Sequence, residues 1–367
     1  EHADVVLVDQ RGTGGSGALS CPVSFSDPLR PVLDLEVVRA CRDRLSARAD
    51  LASYSTAAAV ADLDAVRAAL GHDRIDIIGL SYGTRVAQEY LRAHPDRVRA
   101  VVLLGTVSPA DRLPLPFAHN AHQVLVRLAQ ECAADVACHR AVPDMLADVA
   151  AVRATLATGK VEVALAGDRV ATLEAGPFWE AVRAQLVTAS SQRRLPWLLH
   201  EAALGRFAPI VVASGRTAGP DLAANGLLLS VSCPEDTLHI AAAELGAADQ
   251  TVFGAYRVRQ QLAACEAWGL PAVPRGGFVD SDAPVLLLAG GMDHVTPVRA
   301  AEEVAAHLPR SRVVVVPALG HFPEGLSGME CYERVIHGFL VAGDAADLDL
   351  QCLQAMQPPP FQTQPSR

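Results

Sequence analysis

The sequence predicts an α/β fold in which a mostly parallel sheet is flanked by helices and interrupted by an inserted, mainly helical segment. Apolar runs of strand length alternate with helical patterns in residues 1–107 and again in 276–345, as in a parallel sheet covered on both faces. Residues 108–275 lack this alternation, so we expect a helical lid there, with an independent helical domain as the alternative. Residues 346–367 are expected to form a C-terminal tail.

Composition excludes some classes of partner. Half of the 367 residues are apolar and a fifth are charged, which is ample for a buried core. The formal net charge of −10 argues against a nucleic-acid partner, because phosphate binding needs clustered Lys and Arg. We also expect no membrane span, because no apolar run approaches the roughly 18 residues that one requires.

The first predicted strand covers residues 5–8, a continuous apolar run typical of buried parallel strands. The Gly-rich loop 9–17 follows, and its G-x-G-G-x-G is not taken as a nucleotide-binding pattern because no helix comes directly after it. We expect the loop to pack beside the central serine turn. Arg11 then either forms an ion pair, braces the floor of the site, or is solvated.

The stretch 74–90, RIDIIGLSYGTRVAQEY, follows two helical patterns at 34–49 and 55–70 and organises the rest of the chain. Its isoleucines predict a strand, and the residues after the G-x-S-x-G suit a helix, which is the context that makes this motif informative. Without those neighbours, a chance match in a Gly-rich loop would be the simpler interpretation.

The turn at Ser81 must be very tight. Gly79 and Gly83 are expected to let backbones approach where a Cβ atom would clash. Ser81 then stands at the head of the helix with its hydroxyl exposed, and the amide of Tyr82 can point at a developing oxyanion.

After a strand at 98–104, the inserted segment carries helical patterns and a short hairpin. The helices are expected near 117–132, 144–158, 176–189, 195–204 and 241–267, and the hairpin pairs 161–165 with 168–172. Residues 227–232 look like a strand and lead into Glu235 and Asp236. Two adjacent carboxylates can bind a cation such as a substrate ammonium group, although a helix N-cap followed by an acid that the helix dipole favours explains them nearly as well.

The sheet pattern resumes with strands at 284–289 and 313–316 and helices at 298–307 and 330–341. Asp293 follows the first of these strands, and His321 follows the second after a short turn. The proline-rich residues 357–367 are expected to be disordered.

The chain order Ser81, Asp293, His321 is the order of a serine hydrolase with a nucleophile, an acid and a base. A serine needs a base within hydrogen-bond reach, and that base needs a partner that fixes its tautomer. All three residues follow strands of one predicted parallel sheet, so we expect them at one edge of it. His294 is expected to be structural or solvated. This chemistry needs neither a metal nor a cofactor.

The eight cysteines contain no C-x-x-C and no zinc-like spacing. Their order suggests four successive local pairs, most strongly Cys132–Cys138, and hence an oxidising compartment. The alternative is eight reduced cytosolic thiols.

The segments DQRGTGGSG, GLSYGTRVAQEYLRAHPDRVRAVVLLG, SCPED, PVLLLAGGMDHVTP and GHF together resemble the prolyl-iminopeptidase and tripeptidyl-aminopeptidase group of α/β-hydrolases. The resemblance is nearest to exported bacterial members with a TAP-like C-terminal region, and it spans nearly the whole chain. It implies Ser81 as nucleophile, Asp293 as acid, His321 as base and the Tyr82 amide in the oxyanion hole. It also implies Glu235, and less certainly Asp236, as the site for the substrate's free α-amino group.

The resemblance further implies disulfides Cys233–Cys265, Cys21–Cys41 and Cys331–Cys352. The expected function is therefore a secreted or periplasmic serine peptidase that removes residues or short peptides from free N-termini. A carboxylesterase using the same three residues is the alternative, and a non-catalytic binding module is a third. Only the peptidase requires the Glu235 carboxylate, so Glu235 discriminates between peptidase and esterase.

One departure from the family concerns the N-terminus. The family's H-G-G-P-G loop, which supplies a second oxyanion amide, and its first strands are absent here. The sequence is thus interpreted as N-terminally truncated, with a signal peptide presumed upstream. We expect this stretch alone to be inactive or insoluble, because one oxyanion donor contributes about 2.7–4 kcal/mol and an interior strand contributes more.

Overall fold

A computed structural model describes residues 4–23, 25, 27–217, 224–346 and 348–364. The strands are, in chain order, β1 (Ile75–Leu80), β2 (Val98–Leu104), β3 (Val161–Leu165), β4 (Arg169–Leu173), β5 (Val285–Gly290) and β6 (Ser311–Val316). Strands β3 and β4 form the predicted antiparallel hairpin. The other four form a parallel sheet in the order β1-β2-β5-β6, which confirms the predicted α/β architecture.

The sheet is covered by helices on both faces. The α-helices are α1 (Leu35–Ser46), α2 (Thr56–Ala69), α3 (Tyr82–Ala93), α4 (Phe117–Ala134), α5 (Val136–Ala141), α6 (Met145–Ala157), α7 (Ala175–Ala184), α8 (Ala189–Ala203), α9 (Ala208–Thr217), α10 (Asn225–Glu235), α11 (Gly246–Asp249), α12 (Tyr256–Trp268), α13 (Val298–Ala305), α14 (Met329–Ala342) and α15 (Gln351–Gln354). None of the helices within the described ranges has both the length and the apolar character needed to cross a membrane.

Alternate residues of the central strands pack on opposite faces, as the period of two in a strand requires. Val101 and Leu287 belong to the cluster that includes Ala87 of α3 and Val304 of α13. Their neighbours on the same strands, such as Val102 and Leu286, belong instead to the cluster that includes Val335 and Phe339 of α14. The central strands are therefore buried on both sides, which explains their continuous apolar sequence.

The inserted segment has its own apolar core, in which Leu125, Phe178 and Leu199 are almost fully buried. A further cluster joins residues 19–51 to α10 and α12. The boundaries 107/108 and 275/276 of the predicted lid stay a prediction.

Three predicted segments were wrong. Residues 5–8 form no strand in the described structure, and Val5 and Leu7 are 81% and 91% exposed, because no neighbouring strand pairs with them. Residues 227–232 lie in α10 rather than in a strand, since short apolar runs fit a buried helix equally well. The helix expected at 241–267 is broken between Asp249 and Tyr256, where Gly254 takes a positive φ of 61°.

The disorder expected for residues 357–367 was also wrong as far as these residues are described, whereas the boundary 345/346 of the tail stays a prediction. Phe361 stacks against the guanidinium of Arg193, 4.1 Å from its ring centroid, and the Gln362 amide donates to the Arg193 carbonyl oxygen. Phe361 and Gln362 therefore lie against α8, and Gln357 is hydrogen-bonded to Ser327. Residues 365–367 lie outside the described residues.

All eight cysteines are paired in four local disulfides. The pairs are Cys21–Cys41, Cys132–Cys138, Cys233–Cys265 and Cys331–Cys352. This confirms both the pairing suggested by their order and the pairs implied by the resemblance. Each bridge closes a loop of 6 to 32 residues, so each restricts the unfolded chain.

The turn between β1 and α3 forces Ser81 into a strained backbone conformation, with φ 53° and ψ −119°. A Cβ atom at Gly79 would collide with the backbone of Gly83 and Thr84, so glycine is required there. A Cβ atom at Gly83 would meet nothing within 4 Å. The expectation of a close approach is thus confirmed at Gly79 and wrong at Gly83.

This difference predicts opposite effects for two matched substitutions. Gly79→Ala should destabilise the protein by several kcal/mol, because the turn cannot accept the added methyl group. Gly83→Ala should stabilise it by about 0.5–1 kcal/mol, because alanine favours a helix. Urea unfolding of both variants tests this, and equal stability of the two would contradict the close packing described at Gly79.

The disulfides should contribute unequally to stability. Replacing both cysteines of Cys233–Cys265, which are 32 residues apart, should cost about 4 kcal/mol, whereas removing Cys132–Cys138, only 6 apart, should cost about 2 kcal/mol. Chemical denaturation of the two double-alanine variants measures the difference. A larger loss from the short loop would show that loop entropy does not govern these bridges.

Candidate active site

Ser81 stands at the carboxyl edge of the sheet, between β1 and α3. Its amide donates to the carbonyl oxygen of Leu104 at the end of β2, at 2.9 Å. Its Oγ lies 2.9 Å from Nε2 of His321. The strained turn therefore projects the hydroxyl away from its own strand and towards a residue 240 positions later.

His321 reaches this point from the loop after β6. The amide of Phe322 donates to the carbonyl oxygen of Val187, at 3.0 Å, which ties the loop to the inserted segment. The other ring nitrogen of His321, Nδ1, lies 2.9 Å from Oδ2 of Asp293. His321 is 7% exposed as a residue. Packing and the contacts of its ring nitrogens with Ser81 and Asp293 therefore fix the orientation of the imidazole.

Asp293 follows β5 and is 3% exposed. Its Oδ1 accepts the amides of Val295 and Thr296, and its Oδ2 accepts the Thr296 hydroxyl at 2.6 Å. Burial alone would raise the pKa of this carboxyl, but the hydrogen bonds from His321 and Thr296 outweigh burial and lower it. Asp293 is therefore ionised at neutral pH.

Sequence reasoning missed two residues of this cluster. The Thr296 hydroxyl lies between Oδ2 of Asp293 and Nδ1 of His321, which is 3.1 Å away. Gly105, with φ 61°, lies so close to Thr296 that an added Cβ atom would be 2.9 Å from its hydroxyl and would also contact His321 and Asp293. A Thr three residues after an Asp is a known local hydrogen-bond pattern and could have been noticed, whereas the position of Gly105 depends on tertiary packing.

His294 is buried completely, with Nε2 2.9 Å from Nη1 of Arg183. Burial and the neighbouring Arg183 lower its pKa to about 3, so it is neutral at physiological pH. Of the two expectations for His294, structural or solvated, the structure shows the structural one. Arg11, for which three roles were open, forms a bidentate ion pair with Asp62 of α2.

Tyr82 begins α3. Its amide is among the first of the helix, which have no acceptor within the helix itself. Its phenol oxygen lies 3.1 Å from the Thr56 hydroxyl and 3.4 Å from Nε2 of Gln10, and burial raises its pKa. Tyr82 therefore links the turn at Ser81 to the N-terminal loop and to α2.

Glu235 is the last residue of α10, and Asp236 follows it as the C-cap residue, whose side chain makes no capping hydrogen bond to the next helical turn. Glu235 instead accepts the amide and the hydroxyl of Thr56, the first residue of α2, at 2.8 and 2.6 Å. Asp236, which is 2% exposed, forms an ion pair of 2.7 Å with Arg85 and one of 3.3 Å with Arg275. Arg85 also lies 3.7 Å from Glu235, so the acidic pair is balanced by two arginines.

A cavity of about 320 Å³ opens beside Ser81, within the size range of small-molecule sites. Its lining combines apolar side chains of the inserted segment with a few polar ones. It consists of Ser81, Tyr82, Arg85, Val107, Leu113, Pro114, Phe117, Ala224, Leu227, Leu228, Val231, Ser232, Asp236, Arg257, Gln261 and Val295. Glu235 is not part of it. A wider groove of about 840 Å³ runs along β1, α2 and residues 4–11, and Ser81, Asp293 and His321 do not line it.

Two family models match the chain. Residues 1–161 match the α/β-hydrolase fold, and residues 250–352 match the TAP-like proteins. The first match contains Ser81, and the second contains Asp293 and His321.

The chain is also similar to curated proteins. The serine protease Hip1 of Mycobacterium tuberculosis is 38% identical over 106 residues, which are 28% of this chain and 20% of that protein. The tripeptidyl aminopeptidase of Streptomyces lividans is 32% identical over 123 residues, 29% of this chain and 22% of that protein. These matches span only about a fifth of the length of either relative. With the parallel sheet, the two family matches show that this chain has the α/β-hydrolase fold, with a TAP-like C-terminal region at residues 250–352.

Proposed function

We propose that the protein is a serine peptidase that forms an acyl-enzyme at Ser81 and cleaves residues or short peptides from peptide N-termini. One observation carries this proposal: Ser81, His321 and Asp293 form a continuous chain of contacts, each 2.9 Å long. This series of contacts ends at Ser81, which lines a cavity large enough for a peptide side chain.

In this mechanism His321 removes the proton from Ser81 as the hydroxyl attacks the scissile carbonyl carbon. The ionised Asp293 holds the Nδ1–H tautomer and stabilises the imidazolium that forms, and Thr296 holds Asp293. The amide of Tyr82 donates to the oxyanion at the head of α3. His321 next passes the proton to the leaving amine. Water then attacks the acyl-enzyme by the same route, with His321 again as base.

Peptide substrates are supported by the names of the two relatives, a serine protease and a tripeptidyl aminopeptidase. The free N-terminus is a finer proposal that depends on Glu235 and Asp236. Because both carboxylates already have partners, an arriving ammonium group must displace Thr56 or share a carboxylate with Arg85. Four disulfides support an extracellular or periplasmic location, where such bridges persist.

Ser81→Ala should abolish both turnover and labelling by a fluorophosphonate probe, because the probe reacts only with an activated serine. Asp293→Asn should reduce labelling strongly while leaving the fold intact, because the imidazole loses the acceptor that sets its tautomer. His307→Asn is the control, because His307 is partly exposed and pairs with Asp280 away from the site. This variant should label normally. Labelling of the full-length protein at a residue other than Ser81 would refute the assignment.

Glu235→Gln distinguishes a peptidase from a carboxylesterase. Gln still accepts the Thr56 amide but loses its charge, so hydrolysis of a peptide anilide with a free N-terminus should fall by about tenfold or more. Hydrolysis of an acetyl ester should change by less than about twofold, since that substrate carries no ammonium group. Initial rates on both substrates measure this.

Two controls complete the experiment. Glu162→Gln on the exposed hairpin should affect neither substrate. An N-acetylated version of the peptide should be cleaved poorly by the wild type. If Glu235→Gln and N-acetylation leave peptide hydrolysis unchanged, recognition of the N-terminus is excluded. Efficient ester turnover without any peptide cleavage would favour the carboxylesterase.

A further inference from the structure

Arg257 of α12 lines the cavity beside Ser81 and is poorly satisfied there. Its side chain is 11% exposed, and its guanidinium lies 4.5 Å from the ring centroid of Phe25. Two of its nitrogens, Nε and Nη1, are buried without a hydrogen-bond partner in the described structure. A buried cationic donor without acceptors is costly, so such a group is normally explained by a ligand or a function.

Among the described residues, the charge of Arg257 is only partly balanced. Glu180 lies 3.4 Å from its Nε, but both Glu180 oxygens already accept hydrogen bonds from Arg183 at 2.6–2.9 Å. One carboxylate therefore serves two guanidinium groups. His294, which contacts Arg183, is neutral and adds no negative charge.

The protonation state of Arg257 leaves this imbalance in place. Burial lowers its pKa to about 10, and the neighbouring Glu180 only partly opposes that effect. The guanidinium is consequently still charged at neutral pH, and the group of Glu180, Arg183 and Arg257 carries one net positive charge next to the cavity.

The other arginine of the cavity differs in this respect. Arg85 contacts Asp236 at 2.7 Å and Glu235 at 3.7 Å, so its charge is compensated within the protein. The rest of the cavity wall is largely apolar and includes Phe117, Leu228 and Val295. The cavity therefore combines a largely apolar wall with the uncompensated guanidinium of Arg257.

We propose that Arg257 is a specificity-determining residue that binds the carboxylate of an acidic side chain of the peptide substrate. This inference rests on the proposed peptidase function and adds the substrate class. A glutamate side chain fits the site because its methylene groups can contact the apolar wall while its carboxylate neutralises Arg257. A peptide carbonyl group could accept a hydrogen bond from Arg257 but would leave its charge uncompensated.

The experiment compares kcat/KM for short peptide anilides in which Glu or the isosteric Gln occupies each position in turn. The full-length wild type should prefer Glu over Gln by about tenfold or more at one position, because a hydrogen bond to a charged group is strong when desolvated. Arg257→Met should abolish this preference without changing hydrolysis of the Gln substrate by more than about twofold. Arg257→Lys should keep part of the preference.

Arg259→Met is the matched control, because Arg259 lies two residues along the same helix, is exposed and pairs with Asp249. It should keep the full preference for Glu. Equal hydrolysis of the Glu and Gln substrates by an active wild type would overturn the inference while leaving the peptidase function intact. An equal loss on all substrates in Arg257→Met would show a role in binding the peptide backbone and would also overturn it. Absence of peptide hydrolysis by the wild type would instead refute the proposed function.

Discussion

The contact between Ser81 and His321 joins residues 240 positions apart, and it depends on the parallel register of the sheet. In a parallel sheet the carboxyl ends of all strands meet at one edge, so the loops after β1, β5 and β6 converge there. The order β1-β2-β5-β6 places β2 between the strand that precedes Ser81 and the strand that precedes Asp293. Its last residue, Leu104, receives the Ser81 amide, and the following Gly105 leaves room for the three side chains.

The parts of this arrangement that could be predicted from sequence are those set by local pattern. Buried strands are recognised by their continuous apolar sequences. Cysteines close in sequence form disulfides with each other, since closing a short loop costs little entropy. The failures have a common cause in tertiary context. The apolar run at 5–8 has no strand partner in the part of the chain that the structure describes, and the run at 227–232 is buried as a helix. Thr296 is a partial exception, because its contact with Asp293 is local and only its contact with His321 depends on the folded chain.

The buried carboxylates of Asp293 and Asp236 differ in how their charge is stabilised. Asp293 is surrounded by hydrogen-bond donors that lower its pKa and keep it ionised, so it can pair with His321 without a further charged partner. Asp236 is different, because burial raises its pKa despite two arginine partners. The Asp236 carboxylate therefore requires both of its ion-pair partners, Arg85 and Arg275, to remain charged in the interior. Removing any one partner of such a pair leaves an uncompensated charge, which costs more than the pair contributes.

The charges around the cavity also bear on the proposed recognition of a peptide substrate. Of the charged side chains described, two arginines and one carboxylate line the cavity, Arg85 and Arg257 against Asp236. An ammonium group entering alone would increase this excess of positive charge, whereas a carboxylate would remove it. A peptide that carries both groups, a free N-terminus and an acidic side chain, could bring the two charges in together. Recognition of the N-terminus at Glu235 would then become more favourable when Arg257 is already neutralised, so the two sites would be coupled through charge.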